Sequence, residues 1–300
     1  MRHHQRPLIF STSAAALLLA AASALAAGSA ATATGAAVAP PSCQGVRATI
    51  VGTEGDDELT GTAHRDVINA YDGHDTIQTG GGNDLVCAGG QADIVDLGPG
   101  DDVLRAQHGF DVIHAGTGAD YVRAGDGGDT MFGGSGSDVL LGEGDGCQVP
   151  ASGVPHCAGD RTIGGPGNDV FDAAGSIWLF DTFDYSGAPQ RIAVDLGART
   201  VKSGGFVDRI RAGVPRIIGS RFGDDFKGSA ALDLFQGGSG ADTFRTGAGN
   251  DHVKGGPGDD SIWTKLGNDH IDGGDGSDDG DAGGGTDTCV NTETVASCEG

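Results

Sequence analysis

Aspartate recurs every nine residues along the first half of the chain, at Asp57, Asp66, Asp75, Asp84, Asp93, Asp102, Asp111, Asp120, Asp129 and Asp138. Two residues after each stands an apolar side chain, from Leu59 and Ile68 through to Met131 and Leu140. The phase returns at Asp224, Asp233, Asp242, Asp251, Asp260, Asp269, Asp278 and Asp287. A short fixed period of this kind restricts the chain to a solenoid, because a nine-residue unit can bury its apolar residue only by stacking on its neighbours.

Cut in phase, residues 52–141 read GTEGDDELT, GTAHRDVIN, AYDGHDTIQ, TGGGNDLVC, AGGQADIVD, LGPGDDVLR, AQHGFDVIH, AGTGADYVR, AGDGGDTMF and GGSGSDVLL. Each unit divides into a six-residue turn and a three-residue strand. The eighth residue points inward and its two neighbours outward, as strand geometry requires. The turn calls for Gly where the backbone takes angles that a Cβ would forbid. Strands joined by such turns reverse direction every nine residues, so two units make one coil. Turns two units apart then lie side by side along one edge.

Those edges carry the chemistry. Acidic residues number 42 against 18 Lys and Arg, and only Glu54, Glu58, Glu143, Glu293 and Glu299 are Glu. Acidity kept for solubility alone would mix Asp and Glu freely. Asp has the short arm that suits a tight turn and a compact oxygen cage. Two adjacent turns, each with a carboxylate and several free carbonyls, supply the six to eight hard oxygens that calcium prefers, whereas magnesium demands stricter octahedral geometry. The candidate ligating positions in the first array are Asp75, Gly80, Gly82, Asp84, Asp93, Gly98, Gly100, Asp102, Asp111, Gly116, Gly118, Asp120, Gly125, Gly127, Asp129, Gly134, Gly136 and Asp138, followed by Asp169. In the second array they are Gly238, Gly240, Asp242, Gly247, Gly249, Asp251, Gly256, Gly258, Asp260, Gly267, Asp269, Gly274, Gly276, Asp278 and Asp287.

The pattern G-G-x-G-x-D-x-U-x, with U apolar, resembles the RTX repeat of haemolysin-type calcium-binding proteins. The resemblance spans both arrays. It implies an all-β fold, a right-handed parallel β-roll of nonapeptide repeats in two arrays, with calcium held between successive turns and a chain largely unfolded until calcium arrives. Counting pairs of adjacent turns bounds the ions at about fourteen, and allowing for degraded turns roughly five to ten Ca2+ are expected. The opening CQGVRATIVGT and the ending CVNTETVASCEG resemble secreted actinobacterial RTX proteins.

Turn quality differs between the edges. Gly80–Asp84, Gly98–Asp102, Gly116–Asp120 and Gly134–Asp138 share one edge and keep the motif, whereas Tyr71, Gln91 and Gln107 replace Gly on the other. In the second array GGSGAD, GGPGDD and GGDGSD keep it, and TGAGND, TKLGND and AGGGTD depart further. Tight sites are expected on one edge of each array and weak or empty ones on the other.

Composition sets the remaining limits. A net charge of -24 would repel a phosphate backbone or an anionic membrane surface, so neither nucleic acid nor such a surface is an expected partner. With 57 Gly and only 11 Phe, 2 Trp and 3 Tyr, little bulky side chain offsets the backbone entropy lost on folding, so the chain is expected to need a cation. Residues 1–26 read as a secretory signal, with Arg2 and Arg6, an apolar run Ala14–Ala22, and Ala24-Leu25-Ala26 as cleavage site, which places the protein outside the cell without a membrane span. Six cysteines fit three disulfides in an oxidising compartment. Their order suggests Cys43–Cys87, Cys147–Cys157 and Cys289–Cys298, among fifteen possible pairings.

The expected organisation is a leader and N-terminal cap over residues 27–51, a first array over 52–141 and a disulfide-bounded loop over 142–163. A repeat and irregular spacer follow over 164–218, then a second array over 219–290 and a disulfide cap over 291–300. Within the spacer, IWLFDTFDYSG, RIAVDLGA and VDRIRAG read as strands of a wider coil with a side flap. It resembles the DTxDYS…VxVDL segment that interrupts RTX arrays, although GVPRIIGS stands where an Asn-bearing turn is expected.

No His-Glu-x-x-His stretch exists, and GGSGS and GGSGA lack the last Gly of a lipase elbow. The reading is therefore a non-enzymatic, secreted calcium-binding structural or interaction module with no assigned protein or glycan partner. Two alternatives remain. One is a calcium-stiffened adhesin or matrix protein; the other is a hydrolase or lyase with a cryptic site in 173–218, where Trp178, Phe180, Phe183 and Tyr185 would line a pocket.

Overall fold

Each Asp-x-apolar triplet opens a strand, and each strand pairs in parallel with the one a full coil away. Val112–Thr117 pairs with Thr130–Ser135 on one side and with Ile94–Asp96 on the other, in a register offset of two nonapeptides. The computed structural model describes residues 41–144, 159–172, 181–211, 213 and 216–298, all within the unit Pro40–Gly300. Among them every regular element is a β-strand. Alternate strands build two long sheets, one of 12 strands from Glu58–Thr62 to Thr288–Val290 and one of 15 from Ile50–Val51 to Thr294–Ala296. The chain is thus a parallel β-solenoid of two sheets joined by turns along both edges.

Many strands run to six residues rather than the three read from sequence, as in Tyr121–Asp126 and His252–Pro257. The opening residues of the next turn also pair from coil to coil, Gly116 with Gly134 and Gly256 with Gly274. This doubles the backbone hydrogen bonding available to a segment too short to form a stable sheet alone.

The core lies between the sheets. Ile68, Ile77, Val86, Val95, Leu104, Ile113 and Val122 at the eighth position are fully buried beside Ala70, Ala88, Ala106, Ala115 and Ala124 at the first. Larger side chains fill the same space further along. Phe171, Phe226 and Phe244 follow Gly164, Gly219 and Gly237, and a Cβ on Gly164 or Gly219 would fall 2.7 or 2.8 Å from the ring of Phe171 or Phe226. In these coils the glycine at the first position leaves the room that the ring at the eighth fills. Phe226 and Phe244 stack with centroids 4.7 Å apart.

Between the arrays the 15-stranded sheet takes up an antiparallel meander, Ile192–Asp195, Thr200–Ser203 and Phe206–Ile210. Its outer strands pair in parallel with Asp225–Lys227 and Val170–Asp172, so the insertion lies inside the sheet rather than beside it as a flap. Phe183 and Tyr185 are buried in the core, with Phe183 4.9 Å from Phe171. Trp178 and Phe180 lie outside the described residues, as do the leader segments before residue 41, the Cys147–Cys157 pair and most of its loop.

Disulfides close both ends. Cys43–Cys87 ties a small hairpin, Ser42–Cys43 with Val46–Arg47, over Val67 and Leu85. Cys289–Cys298 holds the last strands together.

Candidate metal centre

The strand-opening aspartates stack into two ladders, one along each edge. In each rung the backbone N–H of one Asp donates to Oδ1 of the Asp on the next coil. On the edge that leads into the 15-stranded sheet this links Asp66 to Asp84, Asp84 to Asp102, Asp102 to Asp120 and Asp120 to Asp138, at 2.7 to 3.0 Å. The opposite edge links Asp57 to Asp75, Asp75 to Asp93, Asp93 to Asp111 and Asp111 to Asp129. In the second array Asp242, Asp260 and Asp278 form one ladder, and Asp233, Asp251, Asp269 and Asp287 the other.

The ladders continue through the interruption. Asp138 reaches Asp169 and Asp169 reaches Asp208 across 39 residues, while Asp160 and Asp181 extend the other edge. Asp160, Asp181 and Asp208 lie outside the nine-residue phase because insertions displace them. Each still heads the same triplet, as DRT, DTF and DRI.

The second carboxylate oxygen is where chemistry is left over. Oδ2 of Asp75, Asp84, Asp93, Asp102, Asp111, Asp120, Asp138, Asp169, Asp242, Asp260, Asp269, Asp278 and Asp287 is buried and accepts no hydrogen bond among the described residues. Asp251 is similarly placed, near the Thr246 hydroxyl. An ionised carboxylate with one oxygen buried and unpaired is costly and calls for a cation or a proton. Without a cation, burial dominates the acidities. It pushes Asp93, Asp120 and Asp169 up to about 7 and Asp242 to about 8, against the partial relief of a backbone N–H. Neighbouring rungs of like charge add to the rise at all four.

The glycines bring the turns together. A Cβ on Gly100 would fall 1.6 Å from the Gly82 carbonyl oxygen, on Gly118 1.7 Å from that of Gly100, and on Gly136 1.5 Å from that of Gly118. Gly258 and Gly276 stand the same way over Gly240 and Gly258. Only glycine permits this approach, which stacks carbonyl oxygens along the edge beside the carboxylates. Gly80, Gly98, Gly116, Gly125, Gly134, Gly238, Gly247, Gly256 and Gly274 take positive φ at the second turn position, and Gly82, Gly127, Gly249 and Gly267 at the fourth.

Among the described residues no three His, Cys, Asp or Glu side chains converge on one point. A cation held here would therefore take backbone carbonyls together with the carboxylates of two adjacent coils. That donor set, all oxygen and mostly neutral, suits a large hard ion such as calcium.

The motif-keeping turns of both arrays fall on the same edge, the one leading into the 15-stranded sheet. Yet the turns on the other edge fold alike. Tyr71, Gln107 and Lys265 hold φ of 76°, 85° and 75° at the second turn position, as Gly does elsewhere, and Gln91 holds 75° at the fourth. Any difference between the edges is one of strain, on the order of 1–3 kcal/mol for each such residue, and not of turn shape.

The family model of the RTX calcium-binding nonapeptide repeat matches residues 49–77, 69–104, 109–140, 218–253 and 254–289, more than half of the chain. No curated protein matches it significantly.

Proposed function

Because the chain belongs to the RTX calcium-binding repeat family, we propose that it is a secreted protein whose roll folds on taking up several calcium ions and serves as an extracellular structural or interaction module rather than an enzyme. The observation that carries the calcium-coupled part is the file of buried, unpaired Oδ2 atoms along both edges. In this reading the carboxylates of successive rungs, such as Asp102 with Asp120 and Asp242 with Asp260, hold calcium together with carbonyls of the intervening turns. The ion supplies the positive charge that these buried oxygens lack, so its binding free energy becomes folding free energy.

Two further features support the extracellular placement: disulfides that cap both described ends, and a secretory-type N-terminal sequence. Calorimetric titration of the full chain tests the core of the reading. Uptake of several calcium ions per chain, with magnesium far weaker, is expected. A chain that takes up no calcium would overturn it.

A further inference from the structure

Not every rung leaves an oxygen unpaired. Where the second turn residue is Ser or Thr, the turn closes on itself. Thr53 donates its N–H and its hydroxyl to Asp57 Oδ2 at 2.6 and 3.0 Å, and Thr62 does the same to Asp66 at 2.7 and 2.9 Å. Ser220 donates its N–H to Asp224 Oδ2 at 2.6 Å and its hydroxyl to Oδ1 at 2.9 Å, and Ser229 serves Asp233 at 2.8 and 3.1 Å. None of these four residues has positive φ, whereas every open turn holds a positive φ at that position. The turn therefore has two states. In one the second residue aims its N–H and hydroxyl at the carboxylate; in the other the carboxylate is left bare.

Placement adds meaning. The closed turns are the first two of each array, one on each edge, so each array begins with a coil closed by its own hydroxyls. Between the arrays Asp208 Oδ2 is also satisfied, by the hydroxyl of buried Tyr185 at 2.9 Å. Resting on the calcium reading above, we propose that Thr53, Thr62, Ser220, Ser229 and Tyr185 replace calcium at their rungs, so that the ions load as two separate blocks, each started by a metal-free coil.

A hydroxyl and an N–H donated to the same carboxylate occupy the lone pairs a cation would need, and they do so without desolvating an ion. Such a coil also gives each array an edge on which the first calcium-loaded coil can form, which matters because a solenoid unit is unstable until it has a neighbour.

The test is the number of calcium ions bound per chain at saturation, counted by native mass spectrometry with calcium as the only added cation. Gly238→Ser turns GGSGAD into GSSGAD directly above the closed Ser220 turn, and should lower the count while the chain still folds. Thr53→Gly turns GTEGDD into GGEGDD, the full motif, and should raise the count by one. Counts equal to the parent in both variants would overturn the proposal. Should Gly238→Ser fail to fold, an unchanged count in Thr53→Gly alone would do so. A parent chain that binds no calcium would instead sink the calcium reading itself.

Discussion

Replacing Asp120 by Asn should act with opposite sign in the absence and presence of calcium. Asp120 is buried in the middle of the first array, accepts the Asp102 N–H at 2.8 Å through Oδ1, and has an unpaired Oδ2. Burial, with the charges of Asp138 and Asp102, raises its carboxyl to about 7 from the ordinary 3.8. A carboxyl whose acidity falls on folding favours the fold while protonated, below about pH 4, and opposes it progressively as pH rises toward 7. At neutral pH the ion therefore burdens the metal-free roll by up to about 4 kcal/mol. Asn keeps the Oδ1 acceptor and removes the charge. In chelator, followed by circular dichroism from pH 7.5 down to 4.5, the parent roll should form as acid neutralises its turns, and Asp120→Asn should form it at higher pH. With calcium at pH 7.5 the variant should instead need more of the ion, by on the order of tenfold or more, because two adjacent gaps lose a charged ligand. A variant that weakens folding equally in both conditions would refute the reasoning and make Asp120 an ordinary turn residue.

Three further outcomes follow from the packing. Gly118→Ala would place a methyl 1.7 Å from the Gly100 carbonyl at a φ of +135°, and should destabilise the calcium-loaded roll by about 3 kcal/mol or more in urea unfolding. Cys87→Ser opens a link of sequence separation 44 and should cost about 4 kcal/mol by the same assay, with the loss confined to the N-terminal coils in hydrogen exchange. Phe226→Ala removes a ring stacked 4.7 Å from Phe244 and should cost about 3–5 kcal/mol.

The regular coils were legible because one local rule generates them: an Asp in a glycine turn, then an inward apolar residue two places on. The pairings Val112 with Thr130 and Ser261 with Asp279 repeat that rule at the register read from the sequence. The middle was harder because its order comes from tertiary pairing. Thr200–Ser203 carries a single buried residue, Val201, and becomes a strand only because Ile192–Asp195 and Phe206–Ile210 flank it. Asp208 joins its ladder from 39 residues away, a distance no periodic search spans. The closed turns were visible as Gly-Ser and Gly-Thr pairs. Their meaning depends on the sign of φ at one residue, which the letters do not state. Positive φ at Tyr71 and Lys265 shows the converse: side chains unsuited to the turn are forced into it by the coils on either side.

Whether calcium folds this chain is the question on which everything else rests. Far-UV circular dichroism of the full, oxidised protein at pH 7.5, titrated with calcium from chelator to about 10 mM, measures it. A cooperative transition from coil to β that magnesium does not reproduce is the predicted result. A chain already rich in β-structure in chelator at that pH, and indifferent to calcium, would contradict it, since the buried aspartates would then be held by the fold alone.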